Sequence, residues 1–198
     1  MNKDLAKQVK EIRLGVNEAH KQVNHPTIFQ ELLYSDLSPE DKSDTRLGEE
    51  AQLIVGAGLL TTSWALTVGS FHIINNPTIL QKLTEEVHAS GIASTKERNW
   101  NKPEQLPYLH ACIKESIRLA HSVPSRNPRM APDQEILYGE WVIPRNTPVS
   151  MSNLLILMDE RIYPNPREFR PERWINNPGL DKYYIPFGKG SRSCLGIT

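Results

Sequence analysis

Val9, Ile12, Val16, Ala19 and Val23 recur at steps of three and four, which predicts an amphipathic helix over residues 1–23. His25–Pro26 breaks that pattern. Residues 27–34 read as a short helix and 35–44 as a polar loop, with Ser38–Pro39–Glu40–Asp41 resembling a helix start. From Ala51 to Asn76 there is no Lys, Arg, Asp or Glu. This segment is apolar all round, and a long helix is expected from about Asp44 to Asn75, closed by Asn76–Pro77. Its length suits a membrane span. Its Gly56, Gly58, Thr61, Thr62, Ser63, Thr67 and His72 instead favour a helix buried inside a globular protein. Pro77–Ala89 is amphipathic, with Ile79, Leu80, Leu83 and Val87 inward. A polar linker spans 90–101. Helix 106–120 then places Leu109, Cys112, Ile113, Ser116 and Leu119 on one side.

Beyond Ser122 the period shortens. Segments 125–130, 135–137, 140–143 and 148–151 read as short strands, separated by Pro132–Asp133, Tyr138–Gly139 and Pro144–Arg145–Asn146. Residues 153–158 suit a helical turn, and 163–187 read as mostly loop. The expected fold is mainly α with a small strand region, an α+β arrangement.

Composition narrows the function classes. The 198 residues suffice for one domain with a core. Lys plus Arg is 23 and Asp plus Glu is 23, so the net charge is zero. That argues against a nucleic-acid binder driven by counterion release and against a polybasic membrane patch. The two cysteines, Cys112 and Cys194, form neither a disulfide framework nor a C-x-x-C pair, which fits a reducing compartment.

Four clusters carry candidate chemistry. Phe187–Gly188–Lys189–Gly190–Ser191–Arg192–Ser193–Cys194–Leu195–Gly196 is a lone cysteine in a glycine-rich loop beside a cation. The glycines let backbone approach a ligand, and loop N–H groups with Arg192 can stabilise a thiolate that ligates one metal. A lone cysteine is otherwise a small buried hydrophobe. Glu115 and Arg118 are three apart on a helix and share a face. An arginine from Phe169–Arg170–Pro171–Glu172–Arg173–Trp174 could join them in a buried network, since buried charges need partners. Ala57–Gly58–Leu59–Leu60–Thr61–Thr62 offers a point where the long helix loosens and a Thr hydroxyl meets a ligand or water, or simply small residues for close packing.

In this order the four elements resemble the cytochrome P450 superfamily of haem-thiolate monooxygenases: A-G-x-x-T-T at 57–62, E-x-x-R at 115–118, P-E-R-W at 171–174 and F-x-x-G-x-R-x-C-x-G at 187–196. Ser125–Arg126–Asn127–Pro128–Arg129 also fits the family's strand after the E-x-x-R helix. The likeness covers essentially the whole chain but only the C-terminal part of the family fold. It implies a single incomplete domain over 1–198, lacking the N-terminal part, the membrane anchor and the final helix.

The resemblance implies haem as cofactor, with Cys194 as its axial thiolate and metal ligand. It implies that Phe187 packs near the haem and the sulfur and tunes the potential, that Gly190 and Gly196 belong to the haem-binding loop, and that Arg192 and Arg129 meet haem carboxylates. Ala57 and Gly58 would lie over the distal face, with Thr61 handling water and protons there. Glu115, Arg118 and Arg173 would form the structural triad, and Val123, Pro124 and Ser125 would line the substrate pocket. The implied reaction inserts one oxygen atom from O2 into a small hydrophobic substrate. Electrons would come from NADPH through a cytochrome reductase, at the cytosolic face of the endoplasmic reticulum in complete relatives. The stretch from His25 to Leu33 is similar to filamentous-fungal members of secondary metabolism. Leu60 departs from the family, which has an acid before the distal threonine, so the resemblance implies impaired oxygen activation or another proton route. The alternative is a truncated, non-catalytic remnant with impaired or no haem binding.

Overall fold

The structure, a computed structural model, describes residues 2–17, 24–25, 27–92 and 101–197. The expected helical positions Ala19 and Val23, the break at Pro26 and the linker residues 93–100 lie outside them. The chain divides into two compact units, 1–60 and 61–198.

In the first unit, helix α1 (Asn2–Arg13) is shorter than the 1–23 pattern predicts. It stops because Gly15 takes a left-handed backbone, φ 68°. Helix α2 (Ile28–Tyr34) starts at a capping box in which Thr27 and Gln30 satisfy each other's backbone N–H. Ser38–Pro39–Glu40–Asp41 is a hydrogen-bonded turn and not a helix start. The long helix α3 (Asp44–Ile74) begins later, where Ser43 Oγ accepts from the Arg46 N–H at 3.4 Å. Val9, Leu47 and Ala51 are the buried apolar positions among the described residues of this unit. Gly48 lets α1 approach α3 closely, since a Cβ there would sit 3.1 Å from Ala6 Cα. Arg13 Nε meets Asp44 Oδ1 at 2.9 Å.

Helix α3 runs unbroken through Gly58 and Thr61. The expectation that it is buried is not met. Its most apolar 18-residue window is only 6% buried, and Leu53, Leu59, Leu60, Trp64, Leu66 and Phe71 are exposed. Among the described residues it is the one helix long and apolar enough to cross a membrane by length and composition. All-round apolarity requires cover on every side, and the contacts made near its C-terminal end cover one side.

In the second unit those contacts are specific. Trp64 Nε1 donates to the Ala120 carbonyl at 2.6 Å, His72 stacks on Phe169 at 5.1 Å, and Gly69 lies flat against Ser116. A Cβ at position 69 would fall 2.3 Å from Ser116 Oγ. Helix α4 (Pro77–Ala89) is capped by the Asn76 side chain. After the turn α5 (Asn101–Glu104), helix α6 (Pro107–Ala120) has no cap of its own. Instead the Glu86 carboxylate of α4 accepts from the Tyr108 and Leu109 N–H groups, both at 2.8 Å. A carboxylate at a helix N-terminus satisfies orphan donors and complements the helix dipole. His121 ends α6 in the left-handed region, φ 45°.

Among the described residues a single antiparallel hairpin, β1 (Ile136–Tyr138) and β2 (Trp141–Ile143), turns at Gly139, φ 59°. The strands predicted at 125–130 and 148–151 reduce to one bridge, Arg129 with Val149, at 2.8 and 2.9 Å. Pro128 and Pro148, next to the paired residues, have no N–H to extend the ladder. Helix α7 (Asn153–Leu157) follows. The 163–187 segment is more ordered than loop: it holds helix α8 (Glu172–Asn176) and a 3-10 turn over Pro178–Tyr183. One core cluster joins Ile79, Tyr108, Cys112 and Phe169, and a second joins Ala111, Tyr163, Trp174 and Leu180. Alternate faces of α6 therefore hold α4 and the α8 region.

Candidate functional site

Glu115 is the electrostatic centre of the second unit. Its side chain is fully buried, as is that of Arg118, and Arg173 is 7% exposed. Helical spacing puts Arg118 one turn beyond Glu115, where it forms a two-pronged pair: Nη2 to Oε1 at 2.8 Å and Nε to Oε2 at 2.9 Å. Arg173 comes from α8, 58 residues away in sequence, and its Nε reaches Oε1 at 3.0 Å. The Arg170 N–H adds a bond at 3.1 Å. One carboxylate thus faces two guanidiniums. The remaining N–H groups donate to carbonyls: Arg118 to Leu157 at 2.9 Å, Arg173 to Pro164 at 3.1 Å, both to Glu168 at 3.4 Å. Five donors on one carboxylate leave no lone pair unsatisfied, the condition under which buried charge is tolerated.

The fifth donor is Trp174, which sequence reasoning missed. Its indole N–H gives to Glu115 Oε2 at 2.9 Å. The signal was present: a tryptophan beside Arg173 that is buried must find an acceptor for its N–H. Burial raises the Tyr163 hydroxyl to about 12, with Glu115 raising it further and Arg118 opposing. Burial likewise pushes the Cys112 thiol up to about 12, assisted by Glu172, Glu86 and Glu115. Cys112 is therefore a neutral core side chain.

Cys194 sits in a different setting. Its backbone N–H donates to the Phe187 carbonyl at 2.9 Å, Ser193 N–H to Gly190 at 3.0 Å and Gly188 N–H to Ile185 at 3.1 Å. These bonds fold 185–194 back on itself and leave the thiol exposed. Gly188 and Gly190 have φ 71° and 80°, conformations that a side chain would strain. Space around Gly190 is open, with nothing within 4 Å of a Cβ built there. A Cβ on Gly196 would touch Cys194 Sγ at 3.9 Å. Phe187 is half-buried, and Arg192 and Gly196 are exposed. An exposed thiol on a closed, open-faced glycine loop leaves room for a metal centre that brings its other ligands with it. Among the described residues no three His, Cys, Asp or Glu side chains gather into a metal site of their own.

The other predicted positions are placed separately. Thr61 is half-buried on α3, with its carbonyl accepting from Ser122 Oγ at 3.5 Å. Ala57 and Gly58 are exposed on the same helix. Val123, Pro124 and Ser125 are exposed after α6, and the Pro124 carbonyl accepts from the buried Ser152 hydroxyl at 2.8 Å. The Arg129 guanidinium donates to the Pro128 carbonyl at 3.0 Å.

Comparison with known proteins adds to this geometry. A family model described as Cytochrome P450 matches residues 2–198. The chain is 45% identical to the cytochrome P450 monooxygenase sdnE of Sordaria araneosa over 88% of its own length and 35% of that protein's. It is 41% identical to the cytochrome P450 monooxygenase astB of Talaromyces wortmannii, covering 98% of this chain and 40% of the relative. It is 42% identical to a fusicoccadiene C-8 hydroxylase of Phomopsis amygdali, covering 97% and 37%. The chain thus spans little more than a third of the length of these relatives.

Proposed function

The chain belongs to the cytochrome P450 family, and from that premise we propose that it is the part of a haem-thiolate monooxygenase that holds the iron, acting on a small hydrophobic substrate. The observation that carries the reading is Cys194, an exposed thiol on a loop closed by the Cys194-to-Phe187 backbone bond. Haem, when bound, supplies the oxygen-activating and one-electron chemistry.

This chain's residues would do the holding and steering. Cys194 would hold the iron through its sulfur. Arg192 and Arg129 would anchor haem carboxylates, and Phe187 would shield the sulfur from water. Thr61 would hold and pass a proton through its hydroxyl. Leu60 cannot do so, which leaves the hydroxyl or water as the carrier at that point of α3. Val123, Pro124 and Ser125 would contact substrate. The 42% identity to a hydroxylase of fusicoccadiene supports a terpenoid-like hydrocarbon as substrate class. A separate reductase fed by NADPH would supply electrons.

The test is spectroscopic. Chain mixed with haem, reduced and exposed to CO should show the red-shifted Soret band of thiolate ligation. Cys194→Ser should lose that band while keeping its far-UV circular dichroism. A band unchanged in Cys194→Ser would overturn the assignment.

A second reading is a partial protein without catalytic competence. It predicts that this 198-residue chain takes up no stoichiometric haem, whereas an entire relative carrying it does. Tight one-to-one haem uptake by the chain alone would reject it.

A further inference from the structure

We propose that Trp174 is a positioning residue for the cysteine loop: its indole N–H is fixed on Glu115 while its ring braces Tyr184, where the loop begins. The indole is 8% exposed and donates to Glu115 Oε2 at 2.9 Å. Its ring meets Tyr184 edge-on, with centroids 5.0 Å apart and planes at 71°. The Lys114 ammonium lies over both rings, 5.5 Å from Trp174 and 5.8 Å from Tyr184. The same ammonium pairs with Asp181 at 2.7 Å, and the Asp181 carbonyl accepts from the Tyr184 N–H at 3.2 Å.

Tyr184 is therefore held from three directions: by Trp174, by Lys114 and by its own turn. Ile185, Pro186 and Phe187 follow directly. Ile185 and Phe187 supply the carbonyls that close the loop onto Gly188 and Cys194. A buried cluster on α6 is linked in this way, through one aromatic pair, to the backbone bond that sets the Cys194 position. Aromatic pairs of this geometry hold orientation as well as area. A hydrogen bond from a neutral donor to a buried carboxylate is among the stronger kinds.

The importance of this linkage rests on the haem-thiolate reading, but its test does not need haem. Amide hydrogen exchange is measured on the chain with Trp174→Phe, which keeps an aromatic ring and removes the N–H. The Cys194 amide should exchange about tenfold faster, the factor expected from loss of a charge-assisted bond. The Ile113 and Ile117 amides within α6 should be unchanged. Equal acceleration at all three sites would reduce Trp174 to a general stabiliser and overturn the proposal, as would no change at Cys194. Should Trp174→Phe not fold, Tyr184→Leu decides alone. It leaves the indole bond to Glu115 intact and should give the same selective acceleration at Cys194; its absence overturns the proposal. Failure of the chain to bind haem would sink the function reading and leave these exchange results standing.

Discussion

Glu115→Gln tests the buried charge cluster most directly. The substitution keeps volume and removes the one negative charge facing Arg118 and Arg173, whose side chains are 0% and 7% exposed. It also places an amide N–H₂ where guanidinium or indole N–H groups now donate. Breaking a buried pair by removing one partner costs about 3–5 kcal/mol, because the remaining charges stay buried. Total stability of a domain is about 5–15 kcal/mol, so Glu115→Gln should remove roughly a fifth or more. Urea unfolding of both chains, followed by tryptophan fluorescence and circular dichroism, gives the difference. Replacing Glu115, Arg118 and Arg173 together by leucine should cost less than Glu115→Gln alone, since no charge of the cluster is then stranded. A loss below about 1 kcal/mol for Glu115→Gln, the level of a surface pair, would refute this account.

Further outcomes follow from other sites. Thiol labelling of native chain at mildly alkaline pH should modify Cys194 and spare Cys112, which is 1% exposed and held protonated by burial; equal labelling would contradict the core placement of Cys112. Burial, helped by Arg118, lowers the His121 pKa below its ordinary value. The unfolded chain then binds a proton that the folded one refuses, so this contribution to stability is intact above about pH 6.5 and lost as pH falls below it. His121→Asn, which tolerates the left-handed backbone, should flatten that decline in melting experiments between about pH 7 and 5. Glu86→Ala strips the cap from α6 and should cost about 1–2 kcal/mol, with faster exchange at the Tyr108 and Leu109 amides; unchanged exchange there would dismiss the cap.

What sequence made legible was mostly local. Glu115 and Arg118 are brought together by helical period, and the turn at Tyr138–Gly139 by the glycine's freedom of φ. Arg173 and Trp174 approach from 58 and 59 residues away, a placement that spacing along the chain cannot state. The P-E-R-W block hinted at it, because a proline before Glu172 also suits a helix start, yet α8 read as loop. The strand predictions at 125–130 and 148–151 failed where prolines removed ladder donors. For α3, composition specified a helix that needs burial but not what buries it. That information is tertiary, and the chain spans little more than a third of the length of the relatives it matches.

The flat contact of Gly69 with Ser116 constrains how this protein can change over generations. Any side chain at 69 would collide with Ser116, whose Cβ is 2.9 Å from the new atom and whose Oγ is tied to the Cys112 carbonyl at 2.7 Å. The two positions are thus coupled in order: alanine becomes acceptable at 69 only in a lineage where 116 has first become glycine. Drift at this crossing is a ratchet with a required sequence of steps, and ancestral reconstructions that reverse the order should yield helices pushed apart.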